Sequence, residues 1–210
     1  FIGACLESVL RHKTDDVIEI IVVNNASMDR TAEVAASYPG VKVVHEHRKG
    51  TGFARHRGFE EAKGHLIAYI DADSRIHDEW IPMIKEEFAK DPEVVSLSGP
   101  FKYYDLPKVQ SAMVYAWWMA GALPAYWHKK FAALGANHVV KRDALVQIGG
   151  FDTSIPFYGD DTNIARRLHK VGKVKWNTRF FNYSSARRLK AEGFVRAGTK
   201  YAINYFTQAY

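Results

Sequence analysis

Cysteine is nearly absent: Cys5 is the only one in 210 residues. An internal disulfide and a cysteine zinc cluster are therefore excluded, and a reducing compartment, the cytoplasm, is the expected setting. No low-complexity tract and no fixed-period repeat is visible, so linker and solenoid architectures drop out. Phe1 to Leu10 carries neither a basic stretch nor a long apolar run, and no signal peptide is expected there. Acidic residues are in the minority, 23 Asp plus Glu against 29 Lys plus Arg, for a net charge of +6. That excess suits a polyanion: a nucleotide diphosphate, an anionic membrane surface or a nucleic acid. Charge alone does not choose among them. Charged side chains are also missing from Val109 to Trp127, a length close to the ~20 residues that span a bilayer.

What is present reads as one ordinary globular domain over residues 1–210. Ile2, Leu6, Val9 and Leu10 recur at helical spacing. Val17 to Val23 is a β-branched run of the kind covered on both faces. A short helix capped by Asp29 or Thr31 ends before Pro39 and Gly40, and Val41 to Val44 reads as a strand. A helix over Gly52 to Ala62, a strand over Leu66 to Ile70, a helix with Trp80, Ile84 and Phe88 on one face, and a strand over Val94 to Leu97 follow. In the second half, Val109, Met113, Ala116, Trp117 and Ala120 form a helical stripe, and Gly135 to Val140 a strand. Asp160 and Asp161 open a helix carrying Ile164 and Leu168, and Lys173 to Phe181 is read as the last strand before a basic, aromatic tail. This alternation predicts an α/β fold around a doubly wound, mainly parallel sheet. Ligands in such sheets bind beyond the carboxyl ends of the strands. Asn24-Asn25 and Asp71-Ala72-Asp73 both stand at such ends, which places them in one crevice.

Asp71 and Asp73, two residues apart at the mouth of a buried strand, can converge on one hard cation such as Mg2+ or Mn2+. A helix-capping turn and a phosphotransferase aspartate pair compete with that reading. Asp160-Asp161 at a helix start is explained structurally by the helix dipole. It is explained functionally by a carboxylate that takes a proton from an acceptor hydroxyl.

Five segments resemble, in order, motifs of the family 2 inverting glycosyltransferases, whose architecture is the glycosyltransferase A fold. They are Val22 to Thr31, Lys49 to Gly58, Gly64 to Ser74, the pair Gly135-Ala136-Asn137 with Ile148 to Asp152, and Gly159-Asp160-Asp161 with Arg166 to Gly172. The resemblance implies a nucleotide-sugar-binding half (1–100), an acceptor and catalytic-base half (101–182) and a C-terminal tail (183–210). It implies that Asp73 binds the metal, that Asp71 contacts the metal or the ribose, and that Asn24, Asn25 and Arg55 hold the nucleotide. Asp161 would be the base, with Asp160 orienting its surroundings, and Arg187 and Arg188 would neutralise the diphosphate leaving group. Asn24 and Asn25 stand where the family usually has aspartate, and His56 where asparagine is commoner. No Gln-x-x-Arg-Trp segment occurs, which argues against a processive polysaccharide synthase.

The expected function is metal-assisted inverting transfer of a sugar to a sugar or lipid-linked acceptor, with peripheral contact at the inner face of a membrane. A nucleotidyltransferase and a non-catalytic basic binding module are the alternatives. No nucleic-acid partner is expected, because aromatic and basic residues cluster in helices rather than interleave on a sheet face. Val109 to Trp127 is expected as a buried or interfacial helix beside the acceptor cleft, since crossing a bilayer would separate Asp73 from Asp161. Its Trp117, Trp118, Tyr126 and Trp127 can stack on sugars or meet headgroups, and Phe194, Tyr201 and Tyr205 share a helical face in the tail, flanked by Arg196 and Lys200. The family's opening strand, about 10 residues long with its turn, is expected to precede Phe1 and to lie between Val17–Val23 and Leu66–Ile70.

Overall fold

The structure, a computed structural model, describes residues 1–155 and 159–209. The first half alternates helices and strands as the sequence pattern requires: α1 (Ile2–His12), β1 (Ile20–Asn25), α2 (Thr31–Ala36), β2 (Val41–Glu46), α3 (Thr51–Glu61), β3 (Leu66–Ile70), α4 (Trp80–Lys90) and β4 (Val94–Ser98). The second half holds β5 (Phe101–Tyr103), α5 (Lys108–Lys129), β6 (Asn137–Lys141), α6 (Arg142–Ile148), α7 (Asp160–Leu168), β7 (Lys173–Trp176), β8 (Asn182–Ser184), α8 (Arg187–Glu192) and α9 (Phe194–Ala209).

The central sheet has the order β3-β6-β4-β7, and β1-β2 and β5-β8 form separate two-stranded parallel ladders. Apolar residues alternate across the central sheet. Ile67, Val95, Val140 and Val174 face Leu145, Ile164 and Leu168 on one side. Leu97 and Val139 face Trp80, Ile81, Ile84 and Phe180 on the other. Two cores on opposite faces give the three-layer arrangement of an α/β domain. Ile164 and Leu168, four apart on α7, are both 0% exposed; each contributes about 1.5–3 kcal/mol by leaving water. That anchors the helix whose first turn carries Asp160 and Asp161.

Most pairings are parallel, as expected, but β6 runs antiparallel between β3 and β4. The inversion matters for the site. Ile70, the last residue of β3, pairs with Asn137, the first of β6. The approach to β6, Gly135-Ala136, therefore lies at the same edge as Asp71. β1 and β3 are not hydrogen-bonded to each other.

One expectation changes. The strand read over Lys173 to Phe181 stops at Trp176, because Asn177 turns the chain: its Oδ1 accepts from Arg179 N at 2.8 Å and its carbonyl from Phe180 N at 3.1 Å. The chain resumes as β8 beside β5. The basic, aromatic tail, read with a helical face, forms α8 and α9, and α9 packs on α7 and α8. The side chains of Trp118, Phe194, Tyr201 and Tyr205 lie outside the described residues. No helix among the described residues is long and apolar enough to cross a membrane.

Candidate active site

β3 ends at Ile70, and Ser74 N donates to Asp71 O at 2.9 Å, closing a tight turn. The turn aims both carboxylates into a cleft lined also by Arg55, Asp160, Asp161, Arg187 and Arg188. Seven of the nine side chains singled out in the sequence thus meet in one place.

Asp73 is 8% exposed, and its Oδ2 accepts from Arg187 Nε at 2.7 Å. Burial lifts its carboxyl above the usual range and Arg187 pulls it back. Beneath the turn, Cys5 of α1 donates its thiol to Asp71 O at 3.7 Å. Burial, with the Asp73 and Asp71 charges adding, pushes that thiol up to about 12, so it remains neutral. Cys5 supports the turn without becoming a nucleophile.

Arg55 joins the two acidic motifs. One guanidinium nitrogen donates to Asp160 Oδ2, and the other lies 3.3 Å from Asp71 Oδ1. Burial works against its charge, but Asp160, Asp71 and Asp161 together hold it protonated. Removing one member of such a pair leaves an uncompensated buried charge, which costs about 3–5 kcal/mol. Arg55 therefore fixes α7 relative to β3.

Asp161 sits one residue further into α7 and accepts from Thr162 N at 2.8 Å and from the backbone of Gly135. Burial and the neighbouring Asp160 charge raise its carboxyl to about 6, and Arg55 opposes them. A carboxyl near 6 is ionised at neutral pH yet basic enough to accept a proton usefully. The chain enters α7 through Gly159 at φ 96°, a left-handed turn that favours glycine.

Gly135 is required by packing rather than by its dihedral angles. A Cβ there would overlap the Arg55 guanidinium. Gly135→Ala should push Arg55 off Asp160 and lower stability by roughly 1–3 kcal/mol, as overpacking does. Combined with Arg55→Ala, the two losses should fall short of their sum, because the second change removes the obstacle. Chemical denaturation of the two single variants and the double variant measures this, and additive losses would show that Gly135 does not act through Arg55.

Asn24 and Asn25 end β1 but do not line the cleft. Asn25 is fully engaged with backbone: Oδ1 accepts from Gly50 N at 2.7 Å, and Nδ2 donates to Glu46 O at 3.2 Å and Arg48 O at 2.6 Å. It ties the β2–α3 loop to β1. Asn24 donates to His45 Nδ1 at 3.2 Å, and its buried Oδ1 has no hydrogen-bond partner among the described residues. Asn137, in the acceptor-side segment, is spent on the core, bonding Trp80 Nε1 and the carbonyls of Pro100 and Phe180.

Sequence reasoning missed Asp105. Its carboxylate accepts from Ala186 N at 2.7 Å and Ser185 Oγ at 2.8 Å, and Lys190 Nζ lies 3.1 Å away. Asp105 thereby holds the start of α8, and with it Arg187 and Arg188, over the cleft. Phe101 and Tyr103 on β5 line the same cleft. An Asp followed by Leu-Pro carries no pattern that announces a partner about 80 residues away.

Among the described residues no group of three or more His, Cys, Asp or Glu side chains converges as a closed metal site. A divalent cation nevertheless fits the donor set. Asp73 is a buried carboxylate whose present countercharge is a guanidinium reaching in from α8, and its neighbour is another hard oxygen donor. Asp73, with Asp71, would hold such an ion.

The chain resembles known proteins in both sequence and fold. It is 33% identical over 116 residues to the putative glycosyltransferase EpsH of Bacillus subtilis (strain 168), a match covering 53% of this chain and 33% of that protein. It superposes on the mannosyltransferase PcManGT of Pyrobaculum calidifontis, solved with GDP-Man and Mn2+, at TM-score 0.66 and 20% identity, covering 96% of this chain and 60% of that one. Glucosyl-3-phosphoglycerate synthase of Mycobacterium tuberculosis, solved with Mn2+, UDP-glucose and phosphoglyceric acid, superposes at TM-score 0.68 and 17% identity over 99% and 74% of the two chains. The chain thus has the glycosyltransferase A fold but spans about a third of the length of EpsH. Residues 1–149 match the family model described as glycosyl transferase family 2, and with well over half its length so matched the chain belongs to that family.

Proposed function

We propose that this chain transfers a sugar, with inversion, from a nucleotide diphosphate sugar to an acceptor hydroxyl. The observation that carries the reading is the charge arrangement of the cleft. Two acidic pairs, Asp71/Asp73 and Asp160/Asp161, are held facing one another by Arg55, and Arg187 and Arg188 close the third side.

Each residue then has one task. Asp161 takes the proton of the acceptor hydroxyl as that oxygen attacks the anomeric carbon from the face opposite the diphosphate. Asp160, paired with Arg55, keeps Asp161 in place and raises its basicity. Arg187 and Arg188 neutralise the diphosphate as it leaves. Asp73 and Asp71 would hold a divalent cation, which when bound would supply Lewis-acid stabilisation of charge on the leaving phosphate. No covalent enzyme intermediate is needed, so the configuration at the sugar carbon inverts. The acceptor is a sugar or a lipid-linked hydroxyl, and the latter would place the protein at the inner face of a membrane.

Thermal melting with uridine, guanosine and thymidine diphosphate sugars, each with and without manganese, tests the assignment. One donor class should raise the melting temperature only when the metal is present, and NMR of the product should show the inverted anomer. Stabilisation by nucleoside triphosphate plus sugar phosphate, with pyrophosphate release, would instead make the protein a nucleotidyltransferase.

The pH dependence has a definite sign. Asp161 must be ionised to act, so transfer should rise through about pH 6 and fall about tenfold per unit below it. Stability should move the other way. A carboxyl raised in the folded state binds more protons than the unfolded chain between its ordinary value and about 6, so its contribution declines as pH rises through that window. Turnover against pH and melting against pH, measured in wild type and Asp161→Asn, should show both slopes in the first, and in the second no activity slope and a shallower melting slope, since the raised Asp73 carboxyl remains.

A further inference from the structure

α5 presents an unbroken apolar face to solvent. At 3.6 residues per turn, Val109, Met113, Ala116, Ala120, Pro124 and Trp127 fall on one side of the helix, with Trp117 at its border. Val109 is 72% exposed, Met113 67%, Trp117 44% and Trp127 63%, whereas Val114 and Met119, off the stripe, are buried at 7% and 9%. The stripe that the sequence pattern marks is thus the outer face, and it runs about 27 Å at 1.5 Å per residue.

Along the helix itself the charges have one sign. No Asp or Glu occurs between Asp105 and Asp143, while Lys108 stands at one end of the helix and His128, Lys129 and Lys130 at the other. Basic ends and an apolar middle with exposed tryptophans match the depth profile of an anionic bilayer interface. The helix is not apolar enough to cross a membrane, so it would lie in the interface plane. Ser111 Oγ donates to Tyr103 O at 3.1 Å, tying the first turn of α5 to the β5 strand whose Phe101 and Tyr103 line the cleft.

We propose that the outer face of α5 is a docking surface for an anionic lipid bilayer, which seats the β5 wall of the cleft next to the membrane. Docking does not depend on the transfer reaction; only its bearing on a lipid-linked acceptor rests on the function proposed above.

Vesicle flotation with phosphatidylcholine, alone or mixed with phosphatidylglycerol, tests this on the full chain. Wild type should partition at least ~10-fold better onto the mixed vesicles, and added salt should weaken the binding. Its tryptophan emission should shift to the blue and be quenched by brominated lipid. The triple variant Val109→Ser/Met113→Ser/Trp127→Ser should lose ~10-fold or more in partitioning, and Lys108→Glu/Lys130→Glu should lose the preference for anionic vesicles. Donor-dependent melting of the triple variant should match wild type, showing that it is folded. Should that variant misfold, brominated-lipid quenching in wild type decides the question without mutation. Absence of vesicle binding by wild type, or equal binding by the folded triple variant, would overturn the proposal. So would a wild-type dimer that the triple substitution dissolves, because a second copy would then cover the face. Vesicle binding without any nucleotide-sugar response would leave docking intact and sink the transfer reaction instead.

Discussion

Asp161→Asn should slow sugar transfer by ~10²–10⁴-fold while leaving donor binding and the fold nearly unchanged. The substitution is close to isosteric, so packing against α7 and Gly135 survives. The carboxylate's favourable position at the helix start is lost, at about 0.3–1 kcal/mol. Part of that loss is offset, because Asp161 is costly to ionise in place: burial and Asp160 hold its carboxyl near 6. The expected melt therefore lies close to wild type, and the rate does not. The two roles of an acidic residue in a first helical turn separate on these magnitudes. A merely structural carboxylate gives a small stability change and near-normal turnover; a base gives the reverse. Thermal melting, donor titration and transfer at saturating acceptor together decide. Turnover within a few-fold of wild type would return Asp161 to a capping role and make Asp160 the next candidate.

The fold was legible where local pattern and burial agree. Leu66 to Ile70 is apolar, short and followed by two carboxylates, and it forms β3 with the expected turn. Ile164 and Leu168 identify the inner face of α7, and that face sets the side of the helix on which Asp160 and Asp161 lie. The candidate site was legible through its acidic motifs and arginines but not through their connections. Arg55 reaches Asp71 across 16 residues and Asp160 across 105, and no periodicity encodes such a pair. Asn25 stands at a strand end, as a ligand-binding residue would, yet its side chain is consumed by three backbone groups of the β2–α3 loop. On α5, periodicity located the apolar stripe but gave no direction, because a buried face and a docking face share one pattern. The basic, aromatic tail forms α9, as the helical spacing of Phe194, Tyr201 and Tyr205 suggests, and its packing on α7 and α8 is the part no local pattern encodes.

Asp73→Ala should abolish manganese-dependent donor binding with little loss of stability. Asp73 is buried, but its partner Arg187 keeps 60% of its side chain exposed, so water can take over the guanidinium once the carboxylate is gone. Exposed ion pairs contribute about 0–1 kcal/mol, and removing Asp73 also relieves the burial that raises its carboxyl. Loss of binding therefore cannot be blamed on unfolding. Arg187→Ala sharpens the test, because it should move two affinities in opposite directions. Without nucleotide, the cation should bind more tightly, since Asp73 no longer has a guanidinium to give up. With nucleotide, the diphosphate should bind more weakly, since a positive partner is missing. Titration calorimetry of manganese and of nucleoside diphosphate against wild type and both variants reads all of these changes. Unchanged manganese and nucleotide affinity in Asp73→Ala would remove the metal from this site. A fall in manganese affinity in Arg187→Ala would show that the arginine supports the carboxylate rather than competing with the cation for it.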